Sequence, residues 1–284
     1  MTETLNLMQW NIGLTREDEE DIVTSRLKVL ESLIEEYTPS IFAIQEADHK
    51  DIKDSIPQEE YNFHISDGKV TAYDNDYWYT PSHKFQSPQY IGLVFEHIGP
   101  EGDGVLFVNI HAKSQLRGGR GSPEGSLSNL QNDLYAARSK EGYSLEEVVM
   151  GDYNVNPYND CLISKDLLSA HRSLPNVKTQ TKTRPIDKRP LYNPTWHFFG
   201  RHDGALGTHY YSTPQYGSPW AVFDQVMVTD GLAYDGEAAV ELVTEVGQHR
   251  LVKDPPKYIP NEEVGSDHLP VVAKIHYETG ISTD

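Results

Sequence analysis

Short apolar runs rich in Val, Ile and Phe recur along the chain between polar segments. Runs of this length and composition predict buried strands. The runs are Leu5 to Trp10, Ile41 to Gln45, Ile91 to Phe95, Val105 to Ile110, Val148 to Met150, Val222 to Val228 and Val271 to Ile275. We therefore expect a fold built around buried sheet.

Two segments between these runs show helical spacing instead. In the first, apolar residues recur every three or four positions, at Leu27, Leu30, Leu33, Ile34 and Tyr37. Pro39 ends this helix, because proline cannot continue it. The second helix, Ser128 to Lys140, places Leu130, Leu134 and Ala137 on one face. Strands interleaved with helices predict an α/β or mixed α+β fold in which helices cover a buried sheet.

Composition excludes several other classes of protein. The 284 residues are 37% apolar and 24% charged, as in an ordinary globular protein. The single cysteine, Cys161, excludes an intramolecular disulfide and a cysteine-rich zinc site. Because no run of about 18 apolar residues occurs and the N-terminus lacks a basic, apolar leader, we expect a soluble, cytoplasmic protein without membrane contact.

Polar residues of reactive types cluster where the predicted strands end. Loops at the strand ends of an α/β sheet bind ligands, because a rigid frame holds their side chains. Asp224 lies inside a predicted strand, where a carboxylate is costly unless it is paired. The full set is Asn11, Glu46, His111, Asp152, Asn154, Asp224, Asp267 and His268.

These residue types together suit metal-assisted hydrolysis of a phosphoester. Carboxylate and amide oxygens are the ligands that Mg²⁺ or Mn²⁺ prefers, and Glu46, Asn11 and Asp267 can supply them. His268 beside Asp224 would form an oriented general base for water. The remaining residues would hold the attacking water and the phosphoryl group, and these are Asp152, Asn154 and His111. Taken singly, each residue could instead be a turn or capping residue.

Six ordered motifs carry a resemblance to a known family. They are Trp10-Asn11, Ile44-Gln45-Glu46, Asn109-Ile110-His111, Met150-Gly151-Asp152-Tyr153-Asn154, Phe223-Asp224-Gln225-Val226 and Ser266-Asp267-His268-Leu269-Pro270-Val271. In this order they resemble the endonuclease/exonuclease/phosphatase superfamily, also called DNase I-like. The resemblance implies a single domain over residues 1–284, folded as a four-layer sandwich of two packed mixed β-sheets flanked by helices.

The same resemblance implies a role for each matched residue. Glu46 would be the principal metal ligand, assisted by Asn11 and Asp267. Asp152 and Asn154 would orient the nucleophile and the phosphate, and His111 would contact the phosphate. Asp224 would pair with His268. The general base would be either His268 or the aspartate of the Gly-Asp-Tyr-Asn turn, and we favour His268.

Charge gives the only indication of the substrate. The net charge of −19 disfavours simple electrostatic adhesion to DNA or an acidic membrane. Two segments, His111 to Gly121 and Arg172 to Arg189, are nevertheless basic, and we expect both to leave strands that end in candidate catalytic residues. We expect them to contact substrate phosphates unless they are ordinary solvated loops. The candidate contacts are Lys113, Arg117, Arg120 and Arg184.

A nuclease that cuts DNA or RNA is the leading functional hypothesis. Aromatic residues between Tyr192 and Trp220 could stack on unpaired bases, line a pocket for a small ligand, or simply pack their long loop. His202 and His209 bracket a glycine-rich turn there, without a third zinc ligand at the usual spacing. The alternatives are a phosphatase or phosphodiesterase on a small or lipid-derived phosphoester, and a non-catalytic binding module. The sequence indicates no protein partner.

Overall fold

The central strands are apolar along most of their length because both of their faces are covered. In the strand Tyr90–Phe95 all six residues are buried, and in Ile41–Ala47 only Glu46 is exposed. Strands covered on both sides show such continuous apolar runs. The computed structural model describes residues 2–78, 80–95, 104–114, 122–141, 145–185, 188–212, 218–233 and 239–278.

Strands outnumber helices in the described chain. The strands are β1 (Thr2–Leu14), β2 (Ile41–Ala47), β3 (Tyr61–Ser66), β4 (Lys69–Asp74), β5 (His83–Ser87), β6 (Tyr90–Phe95), β7 (Val105–His111), β8 (Glu146–Asp152), β9 (Ala170–His171), β10 (Leu191–Tyr192), β11 (His209–Tyr210), β12 (Trp220–Ala221), β13 (Asp224–Val228), β14 (Ala239–Leu242), β15 (Glu245–Val246), β16 (His249–Arg250) and β17 (Val271–Glu278). The helices are α1 (Glu20–Tyr37), α2 (Pro123–Glu141), α3 (Asp160–Ile163) and α4 (Leu174–Thr181). Short 3-10 helices cover Lys50–Lys53, Pro194–Gly200 and Asp230–Leu232.

Two large mixed sheets form the centre of the fold. The first sheet has six strands in the order β14-β17-β1-β2-β4-β3, and the second has seven in the order β5-β6-β7-β8-β13-β10-β9. The first sheet contains one parallel pair, β1 with β2, and the second contains two, β7 with β8 near its middle and β10 with β9 at its edge. The pairs β1 with β2 and β7 with β8 are important for the site, because each brings two strand ends to the same edge.

The two long helices bury one face each, as the spacing of their apolar residues predicts. Helix α1 starts earlier than expected and ends at Tyr37, where Thr38 takes a left-handed conformation directly before Pro39. Helix α2 buries Leu130 and Leu134 in a core shared with the outer face of the second sheet. These contacts confirm the predicted four-layer arrangement of two packed sheets flanked by helices.

One predicted strand has a different start. The run Val222 to Val228 was expected to be a single strand with Asp224 inside it, but β13 begins at Asp224 itself. Strand β13 runs antiparallel to β8, and its register sets Asp224 opposite Asp152. Because the two strands are antiparallel, Asp224 at the start of β13 lies at the same edge of the sheet as Asp152 at the end of β8. Within the described residues, no helix is both long and apolar enough to cross a membrane.

Candidate active site

A cavity of about 930 Å³ opens at the edge where β2, β7 and β8 end. Six of the eight predicted site residues line it, and the other two, Asn11 and Asp224, are buried beside lining residues. The six are Glu46, His111, Asp152, Asn154, Asp267 and His268. The structure therefore gathers residues that are more than 200 positions apart in the sequence.

The Gly-Asp-Tyr-Asn turn at the end of β8 fixes Asp152 and Asn154. Gly151 has φ +140°, and a side chain there would meet the Ile110 carbonyl oxygen at 2.0 Å, so only glycine fits. Asn154 takes the left-handed conformation that asparagine tolerates. Its backbone N–H donates to Asp152 Oδ1 at 2.8 Å, and its side-chain amide donates to Asp152 Oδ2 at 3.1 Å. Both side chains are thereby held against one another at the cavity wall.

His268 and Asp224 form the predicted pair. His268 Nδ1 lies 2.8 Å from Asp224 Oδ2, and both side chains are buried. Thr208 Oγ1 accepts the backbone N–H groups of Phe223 and Asp224, which fixes the start of β13. Because Nδ1 faces Asp224, the other ring nitrogen, Nε2, faces Asp152 Oδ2 at 4.0 Å.

The charges around this pair shift the pKa values of its members. Burial lowers the pKa of His268, but the carboxylates of Asp224, Asp152 and Asp267 outweigh burial and raise it to about 10. Burial raises the pKa of Asp152, and the Asp224 charge adds to that rise, while His268 opposes it. Without a further cation, His268 is therefore an imidazolium held among carboxylates.

Glu46 stands at the opposite side of this group and is held by Asn11. Glu46 has φ +50° and is the exposed residue of β2. The Asn11 side-chain amide donates to Glu46 Oε1 at 3.2 Å and to Asp152 Oδ2 at 3.1 Å, while Asn11 Oδ1 accepts the Gly13 N–H. His111 Nε2 lies 3.5 Å from Glu46 Oε1 and 3.7 Å from Asp152 Oδ2. Asn11 thus joins the two carboxylates, one from each sheet.

His209 belongs to the site, although the sequence pattern suggested for it only a zinc site with His202. His209 Nε2 lies 3.4 Å from Asp267 Oδ2, and its ring packs against His268 with 4.6 Å between centroids. These contacts hold the pKa of Asp267 well below its usual range, even though burial acts in the opposite direction. His202 is exposed and does not line the cavity. Thr208-His209 carries no local motif signal, because a tertiary contact, the antiparallel bridge between His209 and His268, brings it to the site.

The donor chemistry of the cavity fits a hard divalent cation. Glu46, Asp152 and Asp267 supply carboxylate oxygens, which Mg²⁺ and Mn²⁺ prefer. Among the described residues that line the cavity, Lys113 is the one Lys or Arg, and the ion-pair contacts of these carboxylates there are to histidines. In the described chain, two compact groups of possible ligands share His268, namely His209/Asp267/His268 and Asp152/Asp224/His268. The predicted ligands Glu46 and Asn11 lie together, whereas Asp267 lies with His209.

Comparison with known proteins identifies the fold. No family model matches the chain, and no curated protein does. An endonuclease/exonuclease/phosphatase family protein from Bacteroides thetaiotaomicron superposes with a TM-score of 0.65 at 16% identity, covering 99% of this chain and 100% of that one. The chain has the endonuclease/exonuclease/phosphatase fold. The predicted resemblance is therefore confirmed at the level of fold.

Two further solved structures with this fold are similar over nearly their whole length. ANGEL2, a 2′,3′-cyclic phosphatase, superposes with a TM-score of 0.62 at 16% identity, covering 98% of this chain and 97% of that one. Truncated Caenorhabditis elegans TDP2 superposes with a TM-score of 0.61 at 14% identity, covering 96% of this chain and 97% of that one. The endonuclease/exonuclease/phosphatase fold thus accounts for almost all of the chain.

The structure does not bring Arg184 to the cavity with the other predicted residues. Its guanidinium donates to Ser169 Oγ at 2.7 Å, and Ser169 directly precedes β9. The register through β10 and β13 sets His171 level with Val148, near the start of β8 and away from Asp152. Arg184 therefore lies toward the opposite edge of the second sheet. Lys113 lines the cavity as expected, and Arg117 and Arg120 lie outside the described residues.

A smaller cavity of about 270 Å³ adjoins the first one and shares Ser114, Asn154, Tyr211 and Phe223 with it. Its other lining residues include Tyr158 and Trp220, and none of its described lining residues is charged. Aromatic and amide side chains of this kind suit an uncharged ring. Tyr211 and Trp220, from the aromatic segment between Tyr192 and Trp220, therefore border the site.

Proposed function

We propose that this protein hydrolyses phosphoesters in a reaction that depends on a divalent metal ion. The observation that carries the proposal is the His268–Asp224 pair, 2.8 Å apart, which presents its free ring nitrogen toward Asp152 in the carboxylate-lined cavity. An oriented imidazole next to uncompensated carboxylates provides both a proton acceptor and oxygen ligands for a cation. The fold, shared with phosphatases such as ANGEL2, supports the same proposal.

Glu46 and Asp267 would hold Mg²⁺ or Mn²⁺ in this proposal. Bound there, the cation would act as a Lewis acid on a phosphoryl oxygen. Asn11 was predicted to be a third ligand, but its oxygen accepts the Gly13 N–H and its amide group faces Glu46 and Asp152. We assign Asn11 the task of orienting Glu46 instead.

The protein's own residues account for the proton transfers. A water held by Asp152 and Asn154 attacks phosphorus and gives its proton to His268 Nε2, while the bond from phosphorus to the leaving oxygen breaks. The leaving group departs as an alkoxide that takes up a proton from solvent, so the products are an alcohol and a phosphate. Asp224 stabilises the imidazolium that results, and His111 donates a hydrogen bond to the phosphoryl group. Because the surrounding carboxylates raise the pKa of His268, it can accept this proton only when their charge is offset. Asp152 is the alternative proton acceptor.

A substrate with a single phosphate group on an uncharged ring fits the cavities best. Besides the proposed metal ligands, Asp48 and Asp67 border the main cavity, and a run of phosphates would meet their negative charge. The adjoining uncharged cavity would accept the ring. A nuclease acting on DNA or RNA remains the second candidate, because Trp220 and its aromatic neighbours could stack on an unpaired base.

A substrate panel with matched variants tests the proposal. The wild type, Glu46→Ala, His268→Ala and the control His202→Ala would be assayed with Mg²⁺, Mn²⁺ or chelator on aryl phosphates, sugar and nucleoside phosphates, single-stranded DNA, RNA and plasmid. We expect metal-dependent turnover that both site variants lose and that the control keeps, because His202 is exposed outside the cavity. Equal turnover by all four proteins, or turnover that chelator does not affect, would contradict the proposal.

Salt dependence separates the two substrate candidates. Turnover of a nucleic acid weakens steeply as ionic strength rises, because cations bound along the backbone are released on binding. The KM for a single phosphoester changes much less. A preference for small esters with a nearly constant KM would favour the first candidate, and a steep salt dependence on DNA or RNA would favour the nuclease.

A further inference from the structure

Lys69 is a buried lysine at the place where the two sheets meet below the cavity. It is the first residue of β4 and its side chain is fully buried. Its ammonium group donates to the Asp67 carbonyl oxygen at 2.8 Å and to the Pro88 carbonyl oxygen at 2.9 Å. Asp67 lies in the turn between β3 and β4 of the first sheet, and Pro88 lies in the turn between β5 and β6 of the second. One side chain therefore cross-links the sheets.

The two turns that Lys69 joins also hold the backbones at Glu46 and His111. The N–H of Ala47, the residue after Glu46, donates to the Gly68 carbonyl oxygen at 2.8 Å. The N–H of His111 donates to the Gln89 carbonyl oxygen at 2.7 Å. Gly68 is next to both Asp67 and Lys69, and Gln89 follows Pro88. Each turn is thus one hydrogen bond away from a proposed site residue.

Glu46 and His111 face each other across the junction between the sheets. Glu46 is the penultimate residue of β2 in the first sheet, and His111 is the last residue of β7 in the second. Glu46 Oε1 lies 3.5 Å from His111 Nε2. Their separation depends on how the two sheets are held at this edge. The turn residues Asp67 and Pro88, which accept from Lys69, line the same cavity.

Filling this space with an ammonium group costs more free energy than filling it with an apolar side chain would. Burying a charge costs free energy unless hydrogen bonds and opposite charges compensate it, and an apolar side chain would fill the volume without that cost. Burial lowers the pKa of Lys69 to about 8, and the acids that face it, Asp67 and Asp48, partly oppose the shift. What lysine adds over an apolar residue is the pair of directional bonds to the two turns.

We infer that Lys69 is a positioning residue, which sets the geometry between Glu46 and His111 by clamping the two turns that hold them. It touches neither residue through its side-chain hydrogen bonds and acts through Gly68 and Gln89. The inference rests on the proposed function of the same site. Residues that orient metal ligands from behind usually change metal affinity or activity by about 10–100-fold when they are replaced.

Three variants test this inference. Lys69→Met keeps the length and apolar stem but removes both donated bonds, Lys69→Arg keeps a cationic donor, and Lys28→Met is the matched control on an exposed position of α1. Mn²⁺ affinity by calorimetry, kcat and KM on the best substrate, and thermal unfolding would be measured for each. The Mn²⁺ titration does not require turnover, so it tests Lys69 even if the proposed hydrolysis fails.

We expect Lys69→Met to bind Mn²⁺ about 10-fold more weakly and to lose kcat by about 10–100-fold with little change in KM. Lys69→Arg should recover most of the Mn²⁺ affinity, and Lys28→Met should match the wild type. If Lys69→Met does not fold, the Arg variant decides: wild-type affinity and kcat support the clamp, and losses as large as those expected for Met overturn it. Unchanged Mn²⁺ affinity in a folded Lys69→Met protein would also overturn the inference.

Discussion

The two ends of strand β8 carry acidic residues in opposite surroundings. At its start, the buried Glu147 pairs with the buried Arg138, with 2.6 Å between Nη2 and Oε2. Glu146 beside it pairs with Arg189 at 2.8 Å. At its end, Asp152 is equally buried but contacts only amides and imidazoles among the described residues.

This difference separates a structural use of charge from a chemical one. At the start of β8 each carboxylate has a guanidinium partner, and the Arg138–Glu147 pair joins α2 to the second sheet. At the end of β8, negative charge accumulates around Asp152 and raises the pKa of His268. Charge left uncompensated in a cleft is typical of a functional site, because a ligand can supply the missing partner.

Replacing an aspartate by asparagine near each end of β8 should give the largest difference in kcat. Asp224→Asn removes the charge that holds His268, and we expect kcat to fall by about 10²–10⁴-fold. Asp230→Asn removes a carboxylate that Arg189 contacts at 3.0 Å near the start of β8, and kcat should stay within about two-fold of the wild type, because no site residue is touched. Steady-state kinetics with thermal unfolding as the folding check would measure both. Similar losses in the two folded variants would remove the distinction.

Breaking the ion pair at the start of β8 should affect stability instead. Arg138→Met leaves the Glu147 charge buried without its partner, and such a change costs about 3–5 kcal/mol of unfolding free energy. Replacing both residues, as Arg138→Met with Glu147→Leu, should restore most of that stability, because no charge stays unpaired. Urea unfolding measures both values, and kcat below the transition should be unchanged. A loss under about 1 kcal/mol in the single variant would show that this pair is not what neutralises the buried charge at the start of β8.

The pH dependence of the unfolding free energy tests the excess negative charge around Asp152 and His268 at the end of β8. His268 has its pKa raised to about 10 in the folded, metal-free protein, against about 6.5 when unfolded. Its protonation therefore stabilises the fold fully below pH 6.5, and this contribution is lost as pH rises toward 10. The stability difference between the wild type and His268→Gln, measured with chelator, should shrink over this window. A difference that is constant or grows with pH would contradict the charge assignment.

The sequence was sufficient for much of the fold because local signals agree with it. The strand of Val105 to Ile110 is apolar at almost every position, and Pro39 lies directly after the end of α1, so neither depends on distant contacts. Six predicted site residues line one cavity, since ends of parallel strands such as β7 and β8 meet at one edge of a sheet. That the chain forms a single domain stays a prediction.

The sequence does not predict positions that depend on the path of the chain. Arg184 lies in the basic segment Arg172 to Arg189, yet the direction of β9 and β10 takes it to the other edge of the sheet. His209 reaches the site only because its loop returns to pair with His268. The orientation of the Asn11 side chain is likewise set by tertiary contacts, because its NH₂ group faces carboxylates and its oxygen faces the Gly13 N–H. None of these has a local pattern in the sequence.

The smallest expected effect concerns Lys113 and Arg184, two basic residues that were both predicted from the sequence to contact substrate phosphates. Lys113 is exposed at the cavity and Arg184 is not among its lining residues, so only Lys113→Ala should raise KM, by about three- to ten-fold, equivalent to roughly 1 kcal/mol. The increase should fade at high salt, because an exposed charge is screened by ions. Arg184→Ala should leave KM unchanged at every salt concentration while lowering stability slightly through loss of the bond to Ser169. Equal effects of the two variants on KM would mean that the substrate extends from the cavity to the far edge of the second sheet. A long nucleic acid could reach that far, and a small phosphoester could not.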